Sequence, residues 1–253
     1  MREDIERRLG VDPPSPSWLV PGIIPEGAIV ILAGDPGVGK SALSYSLSLA
    51  VSIGGKFLSQ FAKPGRVLYF DEENSEQDFH SYLDTLWRGL DCPAPAEIAR
   101  GLFIERFTLG GALTPYGEMS RLVDDLQPSL VVIDTATPAC RIEDENSNGE
   151  ASAAIRRLRM LKARVASSTF LILKHARVDS DTGQRDIRGA KAWKGEADAV
   201  LFHTQAQGRP PLGAWRRTRL TPGKVRAYGL RDPMLIVPVK HNGGYRLTGQ
   251  IEA

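Results

Sequence analysis

The sequence predicts an α/β protein with a doubly wound, mostly parallel sheet and an antiparallel meander at its C-terminal end. Three observations carry this expectation. Apolar runs of strand length alternate with helical stretches between residues 28 and 202, the pattern of parallel strands joined by crossover helices. A glycine-rich turn ending in Lys-Ser joins the first of these runs to the first helix. Beyond residue 215, strand-length runs follow one another across glycine and proline turns alone.

Composition sets the outer bounds. With 42% apolar and 25% charged residues over 253 positions, the chain has the make-up of a globular protein with a substantial core. A net charge of +2 is too small to imply a polyanionic partner, so any nucleic-acid site must be a local patch. Two cysteines, Cys92 and Cys140, form no disulfide framework and suit a reducing cytoplasm. No apolar run reaches membrane-spanning length, and Met1–Arg8 is too charged for a signal peptide.

Taken in order, residues 2–10 read as a short charged helix and residues 12–17 as a stiff Pro-rich linker. Trp18–Gly27 is a turn-rich lead into the first strand, Ala28–Ala33. The helix that follows stops near Gly54-Gly55. Arg66–Phe70 is the second strand. Ser75 and Asp78 form a capping box for a helix running to about Leu90, which Asp91–Pro95 breaks. Leu102–Ile104 is the third strand, Tyr116–Leu126 a helix, and Leu130–Asp134 the fourth strand. A polar loop then spans Thr135–Gly149. Apolar residues at Ala151, Ile155, Leu158, Leu161 and Val165 mark an amphipathic helix, whose basic outer face reads as solvated. The fifth and sixth strands are Thr169–Leu173 and Asp198–Phe202. Arg216–Leu220, Lys224–Leu230, Met234–Val239 and Tyr245–Leu247 make the meander.

The chemistry starts at Gly34-Asp35-Pro36-Gly37-Val38-Gly39-Lys40-Ser41. This G-x-x-x-x-G-K-S stretch sits between a strand and a helix, the context of a phosphate-binding loop. Glycines let the backbone curl with its N–H groups inward, making an anion nest at a helix N-terminus. Lys40 then reaches the β- and γ-phosphates of ATP, and the Ser41 hydroxyl ligates Mg²⁺. Asp134, a carboxylate ending an apolar strand well downstream, has the placing of the Mg²⁺-side acid; alone, such an Asp also caps turns. The acidic cluster after the second strand is the place for the carboxylate that polarises the attacking water.

The ordered set of motifs resembles the RecA-fold ATPases, and among them the plasmid RepA-type hexameric helicases and their phage relatives. The resemblance covers roughly residues 18–240 and rests on several stretches. These are Trp18–Gly22, the phosphate loop, Tyr69–Glu73, Val132–Thr135, Leu171–His175, Arg188-Gly189-Ala190 and Lys224-Val225-Arg226. It implies a RecA-like ATPase domain over 18–253, preceded by the charged helix and linker of 1–17. It makes Glu73 the catalytic base and Glu72 its neighbour, and His175, directly after the fifth strand, a γ-phosphate sensor. A structural histidine is the plainer reading there. It also places Arg177, Arg185, Arg188, Lys191 and Lys194 on a loop that contacts single-stranded DNA, with Trp193 the sole aromatic available for stacking.

Lys224 and Arg226 share one strand face, and the resemblance makes them a finger reaching the phosphate bound by the next subunit of a hexameric ring. Arg217 and Arg219 are an alternative pair. No arginine flanks the phosphate loop in the sequence, which is why a cation from a neighbouring subunit is expected. A phage-type recombinase or annealing ATPase forming filaments, and a KaiC-like regulatory ATPase without DNA, remain open from the sequence.

Overall fold

The computed structural model describes residues 15–91, 93–106, 114–178, 185–189, 191–206, 215–225 and 229–252. The expected helix over residues 2–10, the tip of the basic segment and Arg226 lie outside these residues.

Two short strands, β1 (Trp18–Val20) and β2 (Ile24–Pro25), pair as a small hairpin leading into β3 (Ile29–Gly34). Helix α1 (Lys40–Ile53) begins after Gly39 and ends at Gly54, both in the left-handed conformation that glycine tolerates. Strands β4 (Lys56–Phe57) and β5 (Gln60–Phe61) form a second small hairpin before β6 (Val67–Asp71). Helix α2 (Glu76–Gly89) opens on the expected cap, the Ser75 hydroxyl accepting the Asp78 N–H at 3.1 Å. Helix α3 (Pro95–Gly101) was not expected; Pro95 at its first turn starts a helix as readily as it breaks the previous one. Then come β7 (Leu102–Glu105), α4 (Pro115–Leu126) and β8 (Leu130–Asp134).

The stretch expected as one loop, 135–149, holds the short α5 (Ala136–Ala139) and the start of α6 (Asn148–Arg164), which Ser147 caps. Strand β9 (Thr169–Val178) runs past the expected end at Leu173 because its second half pairs with β10 (Arg185–Ile187). After α7 (Ala192–Glu196) come β11 (Ala199–Gln205), β12 (Thr218–Val225), β13 (Met234–His241) and β14 (Gly244–Ile251). Strand β12 joins the end of the expected strand Arg216–Leu220 to the start of the expected strand Lys224–Leu230, whose residues 226–228 lie outside the described residues, and it runs through Pro222. A register shift between Val200 and Leu201 on β11 accommodates the missing N–H.

The main sheet has the order β14-β13-β12-β11-β3-β9-β8-β6-β7. From β11 to β7 neighbours are parallel, and from β11 to β14 antiparallel. Alternate residues of each central strand enter different cores. Val30, Leu32, Tyr69, Val132 and Leu173 pack with α1 and α2; Ile31, Phe70, Val131, Ile133 and Ile172 pack with α4 and α6. Each fully buried aliphatic side chain of this kind contributes about 1.5–3 kcal/mol.

Helix α1 is buried over most of its length, including Ser44 and Ser48. Those hydroxyls are satisfied within the helix, Ser44 Oγ donating to Ser41 O at 2.9 Å and Ser48 Oγ to Ser44 O at 2.8 Å. The chain leaves β3 toward β6 on one side and returns as β11 on the other. Such a reversal of strand order opens a crevice at the C-terminal sheet edge, and the phosphate loop lies there.

Candidate nucleotide site

Gly34 ends β3 with His175 of β9 and His203 of β11 in register on either side. The loop then turns through Gly37 (φ 70°) and Gly39 (φ 99°), backbone states that any other residue would enter under strain. Gly34 requires glycine for another reason: a Cβ there would lie 2.6 Å from the His203 carbonyl oxygen. Lys40, 6% exposed, donates to the carbonyl oxygens of Gly34 and Asp35, both at 3.2 Å. Burial lowers its pKa, and Glu73, Asp134 and Asp35 oppose that shift.

Asp134 and Asp71 end neighbouring strands side by side, both buried. Tyr69 Oη donates to Asp134 Oδ2 at 2.9 Å, and Asn74 Nδ2 approaches the same oxygen at 3.3 Å. Asn74 also donates from N and Nδ2 to Asp71 Oδ1, and the Tyr45 hydroxyl bonds Asp71 Oδ2. Burial pushes Asp134 up to about 6, while the Ser41 and Tyr69 hydroxyls pull it back. Its Oδ1 is buried without a hydrogen-bond partner. An orphaned carboxylate oxygen next to the hydroxyl of the loop's Ser41 fits a hard divalent cation, so Ser41 and Asp134 are the residues that would hold Mg²⁺. Bound with nucleotide, the ion would supply positive charge to phosphate oxygens.

Glu73 lies in the turn after β6, partly exposed, with Oε1 3.8 Å from His175 Nε2. Burial lowers the His175 pKa, followed by the Lys40 charge, and Glu73 opposes both. His175 is therefore within β9, one strand from the phosphate loop, rather than just beyond the strand. The fold thus brings Lys40, Ser41, Glu73, Asp134 and His175 to one sheet edge. Glu72, its neighbour, donates its backbone N–H to Asp134 O at 2.6 Å.

The basic segment is only partly a loop. Arg177 is exposed on β9. Arg188 is exposed and pairs with Glu145 at 3.5 Å; Lys194 reaches Asp186 at 3.3 Å, and Lys191 is exposed ahead of α7. Arg185 differs from the expectation. Its Nη1 contacts both carboxylate oxygens of Asp35, at 2.8 and 2.9 Å, inside the phosphate loop. Trp193 is fully buried, with the Lys174 ammonium 5.2 Å above its ring. It is a core residue and offers no stacking surface.

Lys224 pairs with Val200 near the start of β11 and donates to the carbonyls of Lys194 and Gly195, at 2.6 and 2.8 Å. That position is three residues, about 10 Å, below the phosphate-loop level of its own sheet. Of the alternative finger pair, Arg219 is held by Glu252 at 2.6 and 2.7 Å, and Arg217 is exposed.

Sequence reasoning missed a cavity of about 220 Å³ beside the loop, walled by Gly39, Tyr82, His203, Trp215, Arg216 and Thr218. Tyr82 meets Trp215 edge-on at 6.3 Å, and Trp215 stacks on Tyr245 at 5.4 Å. These residues come from α2, β11 and the meander, and no local pattern connects them.

The sheet order, the phosphate loop and the strand-end acids define a RecA-fold P-loop ATPase. A family model for the AAA domain matches residues 1–181, and the chain belongs to that family. It is also similar to the DNA repair protein RadA of Halalkalibacterium halodurans, with 27% identity over 184 residues. That match covers 72% of this chain and 34% of RadA, so the chain spans about a third of that relative's length.

Proposed function

We propose that this chain is an ATP-hydrolysing motor on single-stranded DNA, a RepA-like helicase that assembles as a hexameric ring in the cytoplasm and hydrolyses ATP at subunit interfaces. The observation that carries this reading is the continuity between the nucleotide site and the basic segment. His175, 3.8 Å from Glu73, lies on the same strand as Arg177, and its carbonyl accepts from the Arg188 N–H at 2.8 Å, just after β10, which pairs with β9.

In this reading Lys40 and the loop N–H groups cradle the phosphates. Glu73 accepts a proton from the attacking water, and His175 follows the presence of the terminal phosphate through its contact with Glu73. Lys224 and Arg226 serve the neighbouring subunit's site; the placement of Lys224 away from its own phosphate loop supports that role. Arg177, Arg188, Lys191 and Lys194 track DNA phosphates without reading sequence. The Tyr82–Trp215 cavity takes the nucleobase, where an aromatic wall suits a flat ring.

Similarity to a protein named for DNA repair favours a second reading, a recombinase-type filament with the same ATP site. ATPase rates with and without single-stranded DNA, run beside a strand-displacement assay and electron micrographs, separate these. Stimulated turnover, displacement and closed rings are expected. Stimulated turnover on filaments without displacement selects the second reading. No stimulation by DNA overturns both.

A further inference from the structure

Arg185 enters the phosphate loop from far along the chain, and its geometry asks for more than an ion pair. A guanidinium has five N–H donors. Among the described residues Arg185 spends one nitrogen, Nη1, on the two oxygens of Asp35. Its remaining donors are directed to no other described residue. The pair is fixed from both sides: β10 is clamped to β9 through Arg185↔Val178, Asp186↔Arg177 and Ile187↔Ala176, and Asp35 is the first residue after Gly34. The carbonyl of the same Asp35 accepts from Lys40 at 3.2 Å. Two cations, one from α1 and one from β10, thus converge on a single residue at the mouth of the loop. Asp35 itself is half exposed, and its carboxylate would repel an incoming polyphosphate unless a cation stood beside it.

We propose that Arg185 is a phosphate-contacting residue acting in cis. Asp35 holds its guanidinium across the mouth of the loop, and the donors that Asp35 does not take meet the terminal phosphate of a bound nucleoside triphosphate. The proposal rests on the nucleotide-site part of the reading above and on none of its DNA part. It adds to the phosphate site a cation that the sequence places far from the loop, independent of any finger from a neighbour.

Binding of a non-hydrolysable ATP analogue and of ADP, measured by calorimetry on the full chain, tests it. Arg185→Ala should weaken the triphosphate analogue about tenfold or more, the scale of a charge-assisted hydrogen bond, and ADP less than about threefold. The double variant Asp35→Ala/Arg185→Ala should bind the analogue as weakly as Arg185→Ala. Mixing Arg185→Ala with Lys40→Ala should restore no turnover, since both lesions fall in one subunit's site.

Equal losses for analogue and ADP, or parent-like analogue affinity in the double variant, would show that Arg185 only neutralises Asp35. Restored turnover on mixing would show that it acts on a neighbour. Each result overturns the proposal. Should Arg185→Ala unfold, Arg185→Lys gives the same reading: it keeps the Asp35 partner with fewer donors, and the expected loss is again confined to the triphosphate. Failure of DNA stimulation in the parent leaves these binding results intact, so the two readings fail separately.

Discussion

At the scale of single residues, the phosphate site pairs groups whose charges are costly to bury with the anion that would justify them. Lys40 is nearly inaccessible and, among the described residues, donates to two carbonyl oxygens. Lys40→Ala should abolish nucleotide binding or weaken it at least about a hundredfold, because a buried charge pair is lost; titration with a fluorescent nucleotide checks this. Glu73→Gln keeps shape and hydrogen bonding without basicity. It should bind ATP normally and turn over about a hundredfold more slowly, and a normal rate in single-turnover assays would move the role to another carboxylate.

His203 gives a pH dependence of stability. Burial, and then the Lys40 charge, hold its pKa down at about 3, against an ordinary 6.5. The unfolded chain therefore binds the proton first, so stability is complete above about pH 6.5 and falls as the pH drops below it. Between pH 6.5 and about pH 4.5 this one residue should cost about 2–3 kcal/mol. Urea unfolding across that range should show a shallower decline in His203→Asn than in the parent.

At the scale of elements, the meander meets α2 through close backbone approaches that only glycine permits. A Cβ at Gly244, in β14, would lie 2.1 Å from the Thr85 carbonyl oxygen of α2 and 3.0 Å from the Gly89 nitrogen. Gly89 meets the Tyr245 carbonyl oxygen at 2.1 Å in the same sense. Gly244→Ala should therefore destabilise the protein by about 1–3 kcal/mol, the scale of overpacking in a close contact. Lys40 and its carbonyl partners are untouched by that change. A thermal midpoint lowered by several degrees, with nucleotide affinity retained, is the expected result.

At the scale of the whole molecule, the proposed function takes a further cation at the phosphate site from a second copy of the chain. Arg226→Ala should leave ATP binding nearly unchanged and abolish DNA-stimulated hydrolysis, since a finger from a neighbour is worth about 10³-fold or more in rate. Mixing that variant with Lys40→Ala should recover part of the activity, because a mixed interface holds an intact loop facing an intact finger. Unimpaired hydrolysis by Arg226→Ala sinks the shared site. No helix among the described residues is long and apolar enough to cross a membrane.

Much of this was legible in the sequence. The phosphate loop, the cap at Ser75 and the strand-end Asp134 were readable because each is fixed by neighbours a few residues away. Backbone sterics, capping and apolar runs act over that range. The doubly wound sheet followed from apolar runs alternating with helical stretches. What the tertiary structure alone decided involves residues that meet across the sheet. Arg185 and Asp35 are 150 positions apart and meet because β9 lies beside β3 and carries β10 with it. Trp193, expected at a surface, is buried under Lys174 because α7 packs against α6 and the strands behind it. The Tyr82–Trp215 cavity exists because the antiparallel meander folds back over α2. Strand order is a property of the closed core, set by which apolar faces bury together. A short-range pattern carries no record of it, and so the sequence by itself determined the loop and the acids, while the fold determined which distant cation stands over them.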